Sequence, residues 1–136
     1  MALRPGQFGG GPGGAGAVDV LVVDDDDGVR TTVAEILRRA RHTVAVAEDG
    51  WAALNRLKEL RVGVLVMDVR MPRLDGGGLL RALADPPPAV VISAYRVDDD
   101  LRRSLGTTVA AYLRKPFRPE HLLAAVAGAL GGVAGA

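Results

Sequence analysis

The 136-residue chain contains no cysteine, which excludes disulfide bonds and thiolate metal sites. It also lacks an excess of charge of either sign, because its formal net charge is only +1. A nucleic-acid-binding surface normally leaves a basic footprint, so we expect no nucleic-acid partner. Lysine is scarce as well. Lys58 and Lys115 are the only two in the chain, and each is therefore a candidate for a specific role.

Long hydrophobic runs are missing too. Residues 122–136 are apolar, but they are fewer than the roughly 20 residues that a membrane span needs. Residues 1–17 are rich in glycine and contain no apolar core of a signal peptide. We therefore predict a cytoplasmic protein with no membrane partner. It would have a disordered tail over 1–17, one domain over 18–130 and a flexible tail over 131–136.

Between these tails, five short apolar runs alternate with five amphipathic stretches. The apolar runs predict strands, and hydrophobic residues at helical spacing predict a helix after each one. Strict alternation of strand and helix indicates an α/β fold with a parallel sheet and helices on both faces. The third helix should end at the prolines 86–88. The predicted strands are Val18–Val23, Thr43–Ala47, Val62–Asp68, Ala89–Ser93 and Ala110–Leu113.

Polar residues stand where four of these strands end. Four consecutive aspartates, 24–27, follow the first strand. The third strand ends at Asp68, the fourth ends at Ser93, and Lys115 follows the fifth. The carboxyl ends of parallel strands share one edge of a sheet, so these side chains should converge. Clustered carboxylates attract a cation, and an oxygen-only ligand set suits Mg²⁺. Mg²⁺ together with a lysine and a hydroxyl group indicates phosphoryl chemistry.

The order of these motifs resembles the receiver domain of two-component response regulators, over Val18 to Leu130. The resemblance implies a flavodoxin-like sheet of five parallel strands in the order 2-1-3-4-5. The matching pieces are Val22-Val23-Asp24-Asp25, Met67-Asp68 with Met71-Pro72 and Asp75-Gly76, Ser93-Ala94, and Lys115-Pro116-Phe117.

The resemblance also implies a role for each residue of the site. Asp68 would accept a phosphoryl group from the phosphohistidine of a sensor histidine kinase or of a histidine phosphotransfer protein. Asp24, Asp25, Asp68 and the backbone carbonyl of Arg70 would bind Mg²⁺. Such a protein is not an enzyme in the usual sense, although it assists its own phosphorylation and dephosphorylation.

Ser93 and Lys115 would contact the phosphoryl oxygens, and Tyr112 would turn inward when Ser93 moves to the phosphate. The resemblance implies a cis peptide bond between Lys115 and Pro116. The signal would leave through the face formed by the fourth helix, the fifth strand and the fifth helix, towards an unknown output partner or a second copy of the chain. Arg70 and Tyr95 occupy the two positions that tune phosphoryl lifetime in this family.

Two features depart from the usual receiver pattern. The sequence Asp75-Gly76-Gly77-Gly78 has extra glycine, which weakens the start of the third helix. Gly106 comes early, so the fourth helix should end early. Asp26 and Asp27 match no receiver function, and we expect them to be solvated residues that cap the first helix.

Parts of the sequence also bear on other classes of protein. Haloacid-dehalogenase-like phosphatases carry a string that Asp25-Asp26-Asp27-Gly28-Val29 fits, with Asp25 as nucleophile and Asp27 as acid/base. However, the first strand ends one residue too early for that family, and the chain is short. An EF-hand loop would place Val23 at its first ligand position, and a dinucleotide site needs a glycine-rich first turn. A scaffold of the same fold without phosphorylation is the remaining alternative.

Overall fold

A computed structural model of the chain describes residues 16–70 and 74–132. Five strands alternate with five helices in this part of the chain. The strands lie within two residues of their predicted bounds. The elements are β1 (Ala17–Val23), α1 (Asp27–Arg39), β2 (Val44–Ala47), α2 (Gly50–Glu59), β3 (Arg61–Asp68), α3 (Gly76–Arg81), β4 (Ala89–Ser93), α4 (Asp99–Leu105), β5 (Val109–Arg114) and α5 (Pro119–Gly132).

The strands form one parallel sheet in the order β2-β1-β3-β4-β5. This confirms the predicted flavodoxin-like fold and its strand order. The central strands β1, β3 and β4 are covered on both faces, which explains why their sequences are apolar at nearly every position. All five residues of β4 are buried, as are the last five of β1.

The sheet separates two apolar cores, because successive side chains of a strand point to opposite faces. On one face, the side chains of Leu21, Met67 and Val91 pack with α2, α3 and α4. On the other, those of Val22, Val66 and Ile92 pack with α1 and α5. The helices contribute Ala53, Leu79 and Leu105 to the first core and Val33, Leu37, Leu122 and Val126 to the second.

Each of the first four helices begins with an aspartate that caps it. The carboxylate accepts a hydrogen bond from the backbone N–H three residues later, an interaction worth about 1 kcal/mol. Asp26 had been expected on sequence grounds to cap the first helix, and it does so here. The four pairs are Asp26 with Val29, Asp49 with Ala52, Asp75 with Gly78 and Asp98 with Leu101.

The third helix is shorter than predicted. It has six residues and ends at Arg81, well before the prolines that were expected to end it. Glycine costs about 1 kcal/mol per residue relative to alanine inside a helix, and α3 begins with Gly76, Gly77 and Gly78. The glycine-weakened start leaves too little helical stability to continue the helix to the prolines.

An irregularity in β5 and the end of α5 were not predicted. In β5, Val109 pairs with Ala89 and Ala111 with Val90, so Ala110 is the extra residue of a β-bulge. The helix α5 continues to Gly132, two residues beyond its predicted end. The predicted early end of α4 is confirmed, because the helix stops before Gly106, whose φ is +83°. The tail residues 1–15 and 133–136 and the Met71-Pro72 motif lie outside the described residues.

No helix within 16–70 and 74–132 is both long enough and apolar enough to cross a membrane.

The contact between the start of α2 and the chain before α3 leaves no room for a side chain at Gly50. A Cβ atom there would lie 2.3 Å from the Leu74 carbonyl oxygen and 2.8 Å from the Leu74 Cβ. We expect Gly50→Ala to lower the free energy of unfolding by about 1–3 kcal/mol, because overpacking forces these segments apart.

Gly128 in α5 supplies a matched control for this substitution, since no heavy atom lies within 4 Å of its added Cβ. Gly128→Ala should raise the free energy of unfolding by about 0.5–1 kcal/mol through better helix propensity. Urea unfolding of the two variants measures both effects. Equal changes in the two variants would contradict the close contact at Gly50.

Candidate functional site

Three carboxylates meet at the carboxyl edge of the sheet. Val23 of β1 pairs with Met67 of β3, so the residues that follow them, Asp24 and Asp68, lie side by side. One carboxylate oxygen from each of Asp24, Asp25 and Asp68 lies within 4.8 Å of the others. Asp24 is buried, Asp68 is partly buried and Asp25 is exposed. We call these three residues the acid cluster.

Lys115 joins the acid cluster from the end of β5. Its Nζ lies 2.8 Å from Asp68 Oδ2 and 3.2 Å from Asp24 Oδ2. The Lys115 backbone N–H donates to the Ser93 carbonyl oxygen at 2.8 Å, and this bond aligns the ends of β4 and β5. The peptide bond between Lys115 and Pro116 is cis, the isomer that the resemblance implies. The single ammonium group therefore contacts two of the three carboxylates directly and offsets only part of their negative charge.

Burial and charge oppose each other in this site. Burial raises the pKa of Asp24, and the Asp26 N–H and the Lys115 ammonium only partly offset that rise. For Lys115, burial by itself lowers the pKa, but the hydrogen bond to Asp68 and the charges of Asp24 and Asp68 outweigh it and raise the pKa overall. The raised pKa values of Asp24 and Lys115 both mean that these groups retain their protons more readily here than they would in water.

Backbone groups orient two of the three carboxylates. Asp24 Oδ1 accepts a hydrogen bond from the Asp26 N–H at 2.9 Å, and Asp68 Oδ1 accepts one from the Arg70 N–H, also at 2.9 Å. The acid cluster offers oxygen ligands without histidine or cysteine, which is the donor set that Mg²⁺ prefers. These residues therefore fit the cation that the sequence predicted.

The predicted switch residues lie at the neighbouring strand ends. Ser93 is buried at the end of β4, and its Oγ accepts a hydrogen bond from the Tyr95 N–H at 3.1 Å. Tyr112 pairs with Val91 in the sheet. Since Val91 and Ser93 are two residues apart, Ser93 and Tyr112 lie on the same face of the sheet. The Tyr112 side chain is partly buried against the core on that face.

Sequence reasoning missed Arg30, which holds the loop after β1. Its guanidinium donates to the Asp24 carbonyl oxygen at 2.8 Å and also to the Asp27 carboxylate. Its side chain is only 16% exposed. The spacing of Asp27 and Arg30 on one helix could have indicated their ion pair, but the bond to Asp24 depends on how the loop folds back.

Asp19 in β1 was also missed, and the structure places it away from the acid cluster, near the amino end of the sheet. It is fully buried. Its carboxylate accepts the Thr43 N–H at 2.9 Å, while its own N–H donates to Thr43 Oγ1 at 2.8 Å. This reciprocal pair ties the loop before β2 to β1, so we assign Asp19 a structural role.

The arrangement does not favour the phosphatase alternative. In that alternative, Asp27 would act as acid and base beside Asp25. Asp27 is instead the first residue of α1, is exposed, and pairs with Arg30. Among the described residues, the carboxylates that come together at this edge are those of Asp24, Asp25 and Asp68.

Comparison with known proteins places the chain among signalling domains. Residues 20–127 match the family model of the response regulator receiver domain. The chain is 40% identical over 111 residues to the response regulator MprA of Mycobacterium ulcerans, and the match covers 79% of this chain and 48% of that protein. A second MprA, from Mycobacterium tuberculosis, is 39% identical over the same length. The chain thus spans about half the length of these curated relatives.

Solved structures give the same result. A CheY-like receiver domain protein from Methanospirillum hungatei superimposes with a TM-score of 0.76 at 32% identity, covering 87% of this chain and 98% of that one. A receiver domain from Francisella has a TM-score of 0.76 at 28% identity, covering 85% and 98%. The similarity therefore includes nearly the whole described part of the chain.

The two lysines allow a direct test of the electrostatics of the site. Lys115→Met should lower the free energy of unfolding by about 1–3 kcal/mol without divalent cations, because it leaves Asp24 and Asp68 without their charged partner. Millimolar Mg²⁺ should reduce this deficit, since Lys115 no longer competes for the carboxylates. Denaturant unfolding with and without Mg²⁺ measures both quantities.

Lys58→Met is the control, because Lys58 is exposed on α2 and carries the same charge. It should change stability by less than about 0.5 kcal/mol. A Lys115→Met deficit that is independent of Mg²⁺ would contradict the expected competition between Lys115 and the cation for the acid cluster.

Proposed function

The chain belongs to the response regulator receiver domain family, and on that premise we propose that it is a phosphorylation switch whose phosphoacceptor is Asp68. One observation carries the proposal. The Asp68 carboxylate lies at the end of the central strand β3, in contact with Lys115 and within 4.8 Å of the carboxylates of Asp24 and Asp25. A nucleophile, a cation for the phosphoryl oxygens and a set of metal ligands are therefore next to one another.

The environments of the three carboxylates support Asp68 as the nucleophile. Asp24 is 3% exposed, and both of its oxygens accept hydrogen bonds, from the Asp26 N–H and from Lys115. Asp25 is exposed and lies at the rim of the cluster. Asp68 combines partial exposure with a direct contact to Lys115. An attacking carboxylate needs access to phosphorus and a neighbouring positive charge, and Asp68 meets both needs.

The proposed reaction moves a phosphoryl group between two side chains. An Asp68 oxygen attacks the phosphorus of a phosphohistidine on a sensor histidine kinase or a phosphotransfer protein, and the N–P bond breaks as the O–P bond forms. Bound Mg²⁺ would neutralise phosphoryl oxygens. Asp24, Asp25, Asp68 and the Arg70 carbonyl would hold it. Lys115 moves from the carboxylates to a phosphoryl oxygen, and Ser93 donates a hydrogen bond to another.

The output of the switch would follow from Ser93 and Tyr112. As Ser93 turns to the phosphoryl group, Tyr112 turns inward and reshapes the face formed by α4, β5 and α5. That face would contact an output protein or domain, or a second copy of the chain. We place this cycle in the cytoplasm, with slow self-catalysed dephosphorylation returning the switch to its resting state.

Substitution of single aspartates distinguishes a receiver from a phosphatase. Asp68→Asn should abolish labelling by acetyl phosphate while leaving the fold intact, because an amide keeps the shape of the side chain but is a very weak nucleophile. Asp25→Asn should slow labelling and weaken its dependence on Mg²⁺. Asp27→Asn should have little effect.

Mass spectrometry of the borohydride-reduced protein identifies the modified side chain. We expect the label on Asp68. A label on Asp25, or steady hydrolysis of phosphate esters that depends on Asp27, would overturn the receiver proposal for this chain.

The pair formed by Arg70 and Tyr95 should control how long the phosphoryl group persists. The Arg70 guanidinium lies 4.5 Å from the centre of the Tyr95 ring, and the two residues follow the ends of β3 and β4 closely. Their combined bulk would hinder an attacking water. We therefore expect Tyr95→Ala to shorten the half-life of the phosphorylated protein several-fold, as measured by release of phosphate after labelling.

Trp51→Ala is a suitable control for this measurement, because Trp51 is an exposed aromatic residue on α2. It should leave the half-life unchanged. An unchanged half-life in Tyr95→Ala would argue against shielding by this pair.

A further inference from the structure

A second guanidinium lies over an aromatic ring between α4 and β5. The Arg102 guanidinium carbon lies 4.3 Å from the centre of the Tyr112 ring. Arg102 is on α4 and Tyr112 is on β5, so this contact joins the two elements. Both residues line an open groove of about 790 Å³ between α4 and β5, together with Tyr95, Arg96 and Arg114.

Arg102 differs from its neighbour Arg103 in the partner of its charged group. Arg103 forms an ion pair with Asp100 one turn earlier on the same helix. Within 16–70 and 74–132, Arg102 forms no ion pair, and the partner of its guanidinium is the Tyr112 ring. A cation over the face of a tyrosine is attracted by the ring quadrupole. The contact therefore favours the position that the Tyr112 ring occupies in this structure.

We propose that Arg102 is a positioning residue that holds Tyr112 in the groove and so stabilises the resting state of the switch. This inference rests on the proposed function, in which Tyr112 turns inward upon phosphorylation of Asp68. A ring that leaves the groove towards Ser93 also leaves the guanidinium of Arg102. The inward turn thus requires the Arg102–Tyr112 stack to break, and α4 opposes activation through this one side chain.

The effect on binding follows from linkage. A contact present only in the resting state lowers the apparent affinity of every ligand that binds the active state, and by the same factor. The reason is that the contact lowers the population of protein that is competent to bind. Cation–π contacts at exposed sites correspond to a factor of about two to five, the equivalent of about 0.5–1 kcal/mol. Removing the stack should therefore strengthen binding of a phosphoryl mimic about two- to fivefold.

The experiment titrates the full chain with beryllofluoride in the presence of Mg²⁺. Arg102→Gln should bind the mimic about two- to fivefold more tightly than the wild type. Arg103→Gln is the matched control, since it removes the same charge from the next position of α4 but leaves the stack intact. Its affinity should equal that of the wild type.

A second set of variants assigns the effect to the ring. In a Tyr112→Leu background, Arg102→Gln should no longer change the affinity, whereas in a Tyr112→Phe background it should. The rotamer populations of Tyr112, measured by NMR without beryllofluoride, should shift inward in Arg102→Gln. A change in stability alone would not move these populations.

The outcomes separate this inference from the proposed function. If the wild type binds beryllofluoride and Arg102→Gln binds it equally well, the role of Arg102 is overturned while the receiver proposal stands. An equal gain in Arg103→Gln, or a gain that persists in Tyr112→Leu, overturns it as well, because the cause is then charge and not the stack. If the wild type does not bind beryllofluoride, both proposals fail.

Discussion

Repulsion among three carboxylates at one edge of the sheet is the constraint on which the site depends. Asp24, Asp25 and Asp68 are brought together because β1 and β3 are neighbours and end at the same level. Two like charges about 4 Å apart repel by about 4 kcal/mol at an effective dielectric constant of 20. Lys115 relieves part of this repulsion, and the remainder favours a bound cation. The repulsion among these carboxylates lowers the stability of the fold, and the same negative charges suit the site for the cation that the proposed phosphoryl transfer requires.

The sheet supports this arrangement by keeping the rest of the structure apolar and rigid. The strands that carry Asp24 and Asp68 are buried on both faces, and their side chains belong to two separate cores. Close packing of this kind limits how far the strand ends can move apart. The carboxylates therefore remain close despite their repulsion, and the positive charge of Lys115, not rearrangement of the sheet, offsets part of the cost.

Aspartates at the same edge serve different purposes, and their local surroundings decide which. Four of them cap helices, and Asp27 and Asp100 pair with arginines on their own helices. In the acid cluster, Asp24 and Asp68 are held by Lys115 from β5 and by nearby backbone N–H groups, whereas Asp25 is exposed. The two guanidinium–ring pairs, Arg70 with Tyr95 and Arg102 with Tyr112, flank the end of β4. One arginine, Arg70, thus lies close to the proposed phosphorylation site, and another, Arg102, contacts the proposed switch residue Tyr112.

The sequence by itself determined the alternation of strands and helices and the meeting of polar side chains at one edge of the sheet. The strand order, and the choice of Asp24 and Asp25 among the four aspartates 24–27, came from the resemblance to receiver domains. Apolar runs that alternate with amphipathic stretches specify a parallel sheet, and the ends of parallel strands must share an edge, so the grouping of Asp24, Asp68, Ser93 and Lys115 followed without coordinates. Only the tertiary structure decided the bond from Arg30 to the Asp24 carbonyl, the bulge at Ala110, the early end of α3, and the position of Arg102 over Tyr112. These features depend on side-chain reach and on packing between separate elements, and no local pattern encodes them. Arg102 and Tyr112, for example, belong to α4 and β5, and their contact exists because folding places that helix beside that strand.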